Sequence, residues 1–149
     1  MLSPDALFQA CNTIALLWWI ALAGSTLFGA VRAYVWPATG LVAPALFAVA
    51  YVAALAAGLA KGGEGGFGSI AEVRALFADD HALTAGWIHY LAFDLIVGTL
   101  IARDAARAGV SAVFTLPALA LTFLFGPSGL LAYLIVRLAR GGNLRESLS

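Results

Sequence analysis

An all-α integral membrane protein with four transmembrane helices is the fold class this sequence predicts. Three observations point there. Of 149 residues, 62% are hydrophobic and only 11% are charged. Soluble domains run at about 45–50% and about 25%. Mean hydropathy is +0.95. Charges are also absent over long runs: residues 6–31, 33–60 and 108–136 contain no Asp, Glu, Lys or Arg. Each run exceeds the ~20 apolar residues that cross a bilayer core. Backbone groups in lipid must be satisfied internally, so spanning segments are helices or closed barrels. Runs this long do not fit the ten-residue alternation of a barrel strand.

The spans are expected near residues 6–30, 40–61, 83–102 and 112–138, in a single domain over 1–149. The first starts too long and too poor in Lys and Arg to read as a signal peptide. The third carries one charge, Asp94. Its nine Leu, Ile, Val and Phe residues contribute about −3 to −5 kcal/mol, against roughly +3 for a central Asp. Insertion is therefore near balance, and a neighbouring helix is expected to give Asp94 a partner. The fourth contains Pro117 and the break Gly126-Pro127-Ser128-Gly129. It is too long for a straight crossing, so a kinked or broken helix at Gly126-Pro127 is expected. Between helices 2 and 3, Ser69 and Glu72 have capping-box spacing. Ile70, Val73, Leu76 and Phe77 follow at helical intervals, which predicts a short interfacial helix. Asp79 or Asp80 caps helix 3.

Net charge is zero, with eight basic and eight acidic residues. No basic footprint for nucleic acid is visible. The single Cys11 excludes an intramolecular disulfide. Four crossings place both termini on one side. The distribution of Lys and Arg makes that side the cytoplasm, in what reads as a bacterial inner membrane.

Chemistry concentrates in Trp87-Ile88-His89-Tyr90-Leu91-Ala92-Phe93-Asp94. An intramembrane carboxyl is a functional site by default, and Asp94 is the candidate proton donor. Trp87 and Tyr90 precede it by seven and four residues, so the three form one helical stripe. His89 lies about 140° away around the axis. The two meet one substrate only if the pocket wraps around the helix. Gln9 and Asn12, with Thr13, are the polar candidates on helix 1. No cofactor is expected. The alternative is iron or haem, with His89 and Asp94 as the metal-ligating residues.

In order, Phe8-Gln9-x-x-Asn12-Thr13, Phe77-x-x-Asp80, Trp87-Ile88-His89-x-x-x-x-Asp94-Leu95 and Phe125-Gly126-Pro127-x-Gly129-Leu130-Leu131 resemble the abscisic-acid-deficient-four-like family. This is a small four-helix membrane family whose plant members are associated with neoxanthin formation from violaxanthin. The resemblance implies a carotenoid or related isoprenoid substrate and a neoxanthin-synthase-like isomerisation. That reaction needs an acid at an epoxide oxygen and a base for a carbon-bound proton. Asp94 is the expected acid and His89 the base or orienter. Gln9, Asn12, Trp87, Tyr90, Phe93, Phe125, Gly126 and Pro127 are the expected substrate contacts. A homodimer with the polyene at its interface is the expected assembly. The competing readings are oxidation or cleavage of a carotenoid by iron or haem, and a non-catalytic pigment-binding scaffold.

Overall fold

The computed structural model describes residues 3–62 and 65–140, and six helices build them. Helix α1 spans Pro4–Leu27. The Ser3 hydroxyl accepts from the Ala6 amide, Pro4 occupies the first turn and Asp5 meets the positive helix end. A single extended residue, Phe28, separates α1 from α2, a 31-residue helical run over Gly29–Leu59. Helix 2 therefore starts well before residue 40, and the stretch expected as a connection is helical. The reason is local. Arg32 Nε donates to the Ser25 carbonyl at 2.9 Å and Nη2 to the Thr26 carbonyl at 3.3 Å. This satisfies carbonyls left open at the end of α1. Trp36 Nε1 donates to Ser25 Oγ at 3.1 Å. Pro37 and Pro44 have no amide hydrogen, and a wide π-type turn at Ala38–Val42 accommodates the lost bonds.

Helix α3, Ile70–Leu76, carries the expected cap: Glu72 N–H donates to Ser69 Oγ at 3.2 Å, while Glu72 Oε2 takes the Gly68 N–H at 3.0 Å. Helix α4, Asp80–Arg107, is capped by Asp79. One oxygen of Asp79 accepts from the His81 and Ala82 amides and the other from Lys61 Nζ at 2.6 Å. The lysine also holds the Asp79 carboxyl below its ordinary range, helped by those amides.

Helix α4 is the centre of the molecule, with Ile88, Leu95 and Ile101 wholly buried. Small residues let its neighbours approach closely. Gly98 faces Trp19 and Leu22 of α1. Gly40 and Gly58 of α2 face Thr99 and Ala82. With Asn12 of α1 meeting Trp87 lower on α4, these pairings make α1 parallel and α2 antiparallel to α4. Between α2 and α4, Thr39 gives its proton to the Val35 carbonyl and lies 2.8 Å from the Thr99 hydroxyl. This polar pair is buried and fully used.

The last apolar stretch departs most from expectation. It forms two helices, α5 (Ala112–Phe125) and α6 (Pro127–Ala139), joined at Gly126 with φ 50° and ψ −105°. The chain reverses there. Val110 starts beside Ala105 of α4, and Phe123 reaches Tyr90. Residues 133 and 137 then return to Asp104. Gly129 lies so near α5 that a Cβ would come 2.2 Å from the Thr122 amide nitrogen. At 1.5 Å per residue, arms of 14 and 13 residues measure about 21 and 20 Å, short of the ~30 Å hydrocarbon core. The single interrupted crossing expected over 112–138 is thus a helical hairpin. Among the described residues, three helices are long and apolar enough to cross a membrane: Pro4–Leu27, Gly29–Leu59 and Asp80–Arg107. The first residues of α1 line a cavity with His81 and Thr84, near the start of α4. The end of α6 lies at the opposite end, by Asp104. The two described ends are therefore on opposite sides of the bundle, not on one side as four crossings require.

The hairpin's return arm is anchored by a buried polar group. Arg137 Nε donates to Asp104 Oδ2 at 2.7 Å and the Tyr133 hydroxyl donates to the same oxygen. All three side chains are buried.

Candidate functional site

The stripe Trp87, Tyr90 and Asp94 gains partners from α1 and from the tip of the hairpin. Asn12 lies on α1 with its Nδ2 on the Phe8 carbonyl. Its Oδ1 accepts from Trp87 Nε1 at 2.9 Å. Phe8 and Tyr90 flank the Trp87 ring, with centroids 5.5 and 5.4 Å away. The Tyr90 hydroxyl donates to the Phe123 carbonyl at 3.0 Å, near the end of α5. That bond satisfies a carbonyl near the break, where the helical ladder ends.

Asp94 stands at the middle of the 28-residue α4 and faces Gly126. A Cβ at Gly126 would lie 3.0 and 3.1 Å from the two carboxylate oxygens. The positive φ and this close approach both call for glycine. Asp94 Oδ2 is buried and has no hydrogen-bond partner among the described residues. An orphaned oxygen of this kind is costly without a ligand, water or proton to meet it.

Trp19 completes the surroundings. The far edge of its benzo ring rests on Gly98, one turn beyond Asp94, and its ring packs on Phe123 at 5.5 Å. Its indole N–H is also buried without a partner among the described residues. Trp19 and Phe123 line an apolar groove of about 330 Å³ between α1 and α5, floored by Ala23 and Ala120.

The expected site residues separate into two groups. Asn12, Trp87, Tyr90, Asp94 and Gly126 come together. Phe125 and Pro127 flank Gly126 with exposed side chains. Gln9 is exposed, and its carbonyl accepts from Thr13. Its side chain makes no hydrogen bond to the Asp94 group. His89 and Phe93 lie elsewhere: their rings stack 4.6 Å apart, and Tyr51 of α2 packs on His89 at 5.8 Å. His89 lines a separate cleft of about 230 Å³ with Tyr51, Phe77 and Gly86. His89 and Asp94 therefore do not suit a shared metal ion. Among the described residues, no three His, Cys, Asp or Glu side chains cluster as metal ligands.

Sequence reasoning missed the Asp104–Tyr133–Arg137 group. Its signal was present: Tyr133 and Arg137 are four apart on one helical face. Arg137 reads as a helix-end charge until the hairpin turns it inward.

No curated protein and no solved structure matches the chain. Residues 6–133 match the ABA4-like (ABA DEFICIENT 4-like) family. That match takes in the α1 contacts, the Asp94 stripe and the hairpin tip, and the chain belongs to this family.

Proposed function

We propose that the protein is a membrane-embedded enzyme that isomerises a carotenoid or related isoprenoid, with Asp94 as the reacting carboxyl. The observation that carries this reading is the orphaned Asp94 oxygen against Gly126 at the tip of a hairpin between apolar helices. Non-helical backbone persists at membrane depth where protein covers it or where it lines a cavity. Family membership supports chemistry related to neoxanthin and abscisic acid formation. The groove beside Trp19 and Phe123 suits the apolar chain of a polyene.

In this reading Asp94 in its acid form gives its proton to an epoxide oxygen as the carbon–oxygen bond opens. The carboxylate so formed takes a proton from carbon, and the electron pair of that C–H bond becomes the new double bond. Atoms and charge balance without an added reagent. Tyr90 and Trp87, fixed by Phe123 and Asn12, hold the stripe in place. His89, on another face of α4, has no part in the reaction. The chain then crosses the membrane three times, α5 and α6 form a re-entrant hairpin, and α3 lies at the interface.

The test is the pigment profile of carotenoid-producing cells with and without the protein. A new pigment of unchanged mass supports isomerisation. A mass increased by oxygen, or cleavage fragments, overturns it in favour of oxidative chemistry. An unchanged profile across hosts with differently oxygenated carotenoids overturns the enzymatic reading.

A further inference from the structure

The bundle end that holds the C-terminus of α1 and the C-terminus of α4 carries a cleft of about 390 Å³ lined by Arg32, Trp36, Pro37, Gly40, Leu41 and Arg103. Arg32 is held rigidly. Its Nε and Nη2 bond the Ser25 and Thr26 carbonyls, and its guanidinium lies 5.5 Å from the Trp36 ring centroid. Nη1 stays without a partner among the described residues. Arg103 is exposed and makes no hydrogen bond or ion pair to a described residue. No acid lines the cleft. The neighbouring Asp104 is buried and committed to Arg137 and Tyr133. Two guanidinium groups thus share one cleft with no carboxylate among the described lining residues to neutralise them.

Their depth identifies the anion. Arg32 follows the end of α1, and Arg103 precedes the end of α4 by one turn. Both sit at headgroup level, beside a Trp suited to the interface. The outward side chains of Leu41 and Val42 continue the wall into the apolar layer. Because the hairpin returns, this end also holds Arg107, Arg137 and Arg140, against Lys61 and Arg74 at the other end. The excess of basic residues assigns it to the cytoplasm, where the leaflet is anionic.

We infer that the Arg32–Trp36–Arg103 cleft binds the phosphate headgroup of an anionic phospholipid of the cytoplasmic leaflet, with its acyl chains along Leu41 and Val42. Arg32 presents its free nitrogen as a preset donor, and Arg103 closes over the phosphate from α4. The inference stands apart from the reaction at Asp94.

The experiment measures thermal unfolding of the full chain in neutral detergent, titrated with phosphatidylglycerol, phosphatidylcholine or inorganic phosphate. Arg103→Gln is the informative variant because its side chain supports no described contact. Phosphatidylglycerol is expected to raise the transition temperature saturably, and phosphatidylcholine and inorganic phosphate are not. Arg103→Gln is expected to weaken the apparent lipid affinity about fivefold, from the roughly 1 kcal/mol that one Arg contributes at an anionic surface. Equal shifts with both lipids overturn the inference, as does an unchanged affinity in Arg103→Gln. A shift with inorganic phosphate equal to that with phosphatidylglycerol also overturns it, in favour of a soluble anion.

Discussion

Asp94 and Gly126 are 32 positions apart, yet each explains the other. The carboxyl needs a close neighbour without a side chain, and the hairpin needs a residue that tolerates positive φ. Part of this was legible from spacing alone. Residues 87, 90 and 94 share a helical face, and the structure keeps them together. The same arithmetic puts His89 elsewhere on the helix, so it could share a substrate or metal with Asp94 only if the pocket wrapped around α4, and the structure gives it a cleft of its own. What faces the stripe was not legible, because helical spacing says nothing about which helix is adjacent. Gly126→Ala is expected to destabilise the protein by about 1–3 kcal/mol, as an L-residue forced into a rarely populated conformation. Thermal unfolding in detergent measures this, and an unchanged transition would contradict the contact described here.

At the scale of elements, hydropathy located every apolar segment but misjudged the last. Twenty-nine uncharged residues read alike as one long crossing or as two short arms. Only the reversal at Gly126 and the pairing of Asp104 with the return arm separate these cases. Arg137→Met leaves the Asp104 carboxyl buried with Tyr133 as its remaining hydrogen-bond partner among the described residues. It is expected to cost about 3–5 kcal/mol, while Asp104→Leu with Arg137→Met restores most of the loss. Unfolding midpoints of the single and double variants check this pair. The Asp79 cap of α4 makes a separate prediction. Lys61 lowers its carboxyl pKa in the folded state, so the unfolded chain binds the proton more tightly. The stabilisation is present above the ordinary carboxylate value of about 3.9 and is lost as pH falls through the lower folded value. Asp79→Asn keeps an oxygen for the cap but removes this acid dependence. Unfolding midpoints between pH 3 and 6 measure the difference.

For the whole molecule, the hairpin changes sidedness. An even number of crossings puts both termini together. In the proposed topology, three crossings and a hairpin put the two described ends apart, with the start of α1 outside and the end of α6 in the cytoplasm. Composition was enough for a membrane protein, because sixteen charged residues in 149 cannot cover a soluble surface. It was not enough for topology, because the basic residues are few and their assignment hangs on one reversal. Single cysteines placed near position 4 and position 140 in a Cys11→Ala background are expected to react with a membrane-impermeant maleimide from opposite faces of sealed vesicles. Labelling from the same face would restore the fourth crossing.

The most direct measurement compares Asp94→Asn with His89→Ala in carotenoid-producing cells, reading pigments by chromatography with mass detection beside the amount of inserted protein. Asp94→Asn is expected to abolish the new pigment at normal protein level, and His89→Ala to retain most of it. Loss in His89→Ala with retention in Asp94→Asn would contradict the assignment of the chemistry to the carboxyl at the hairpin tip.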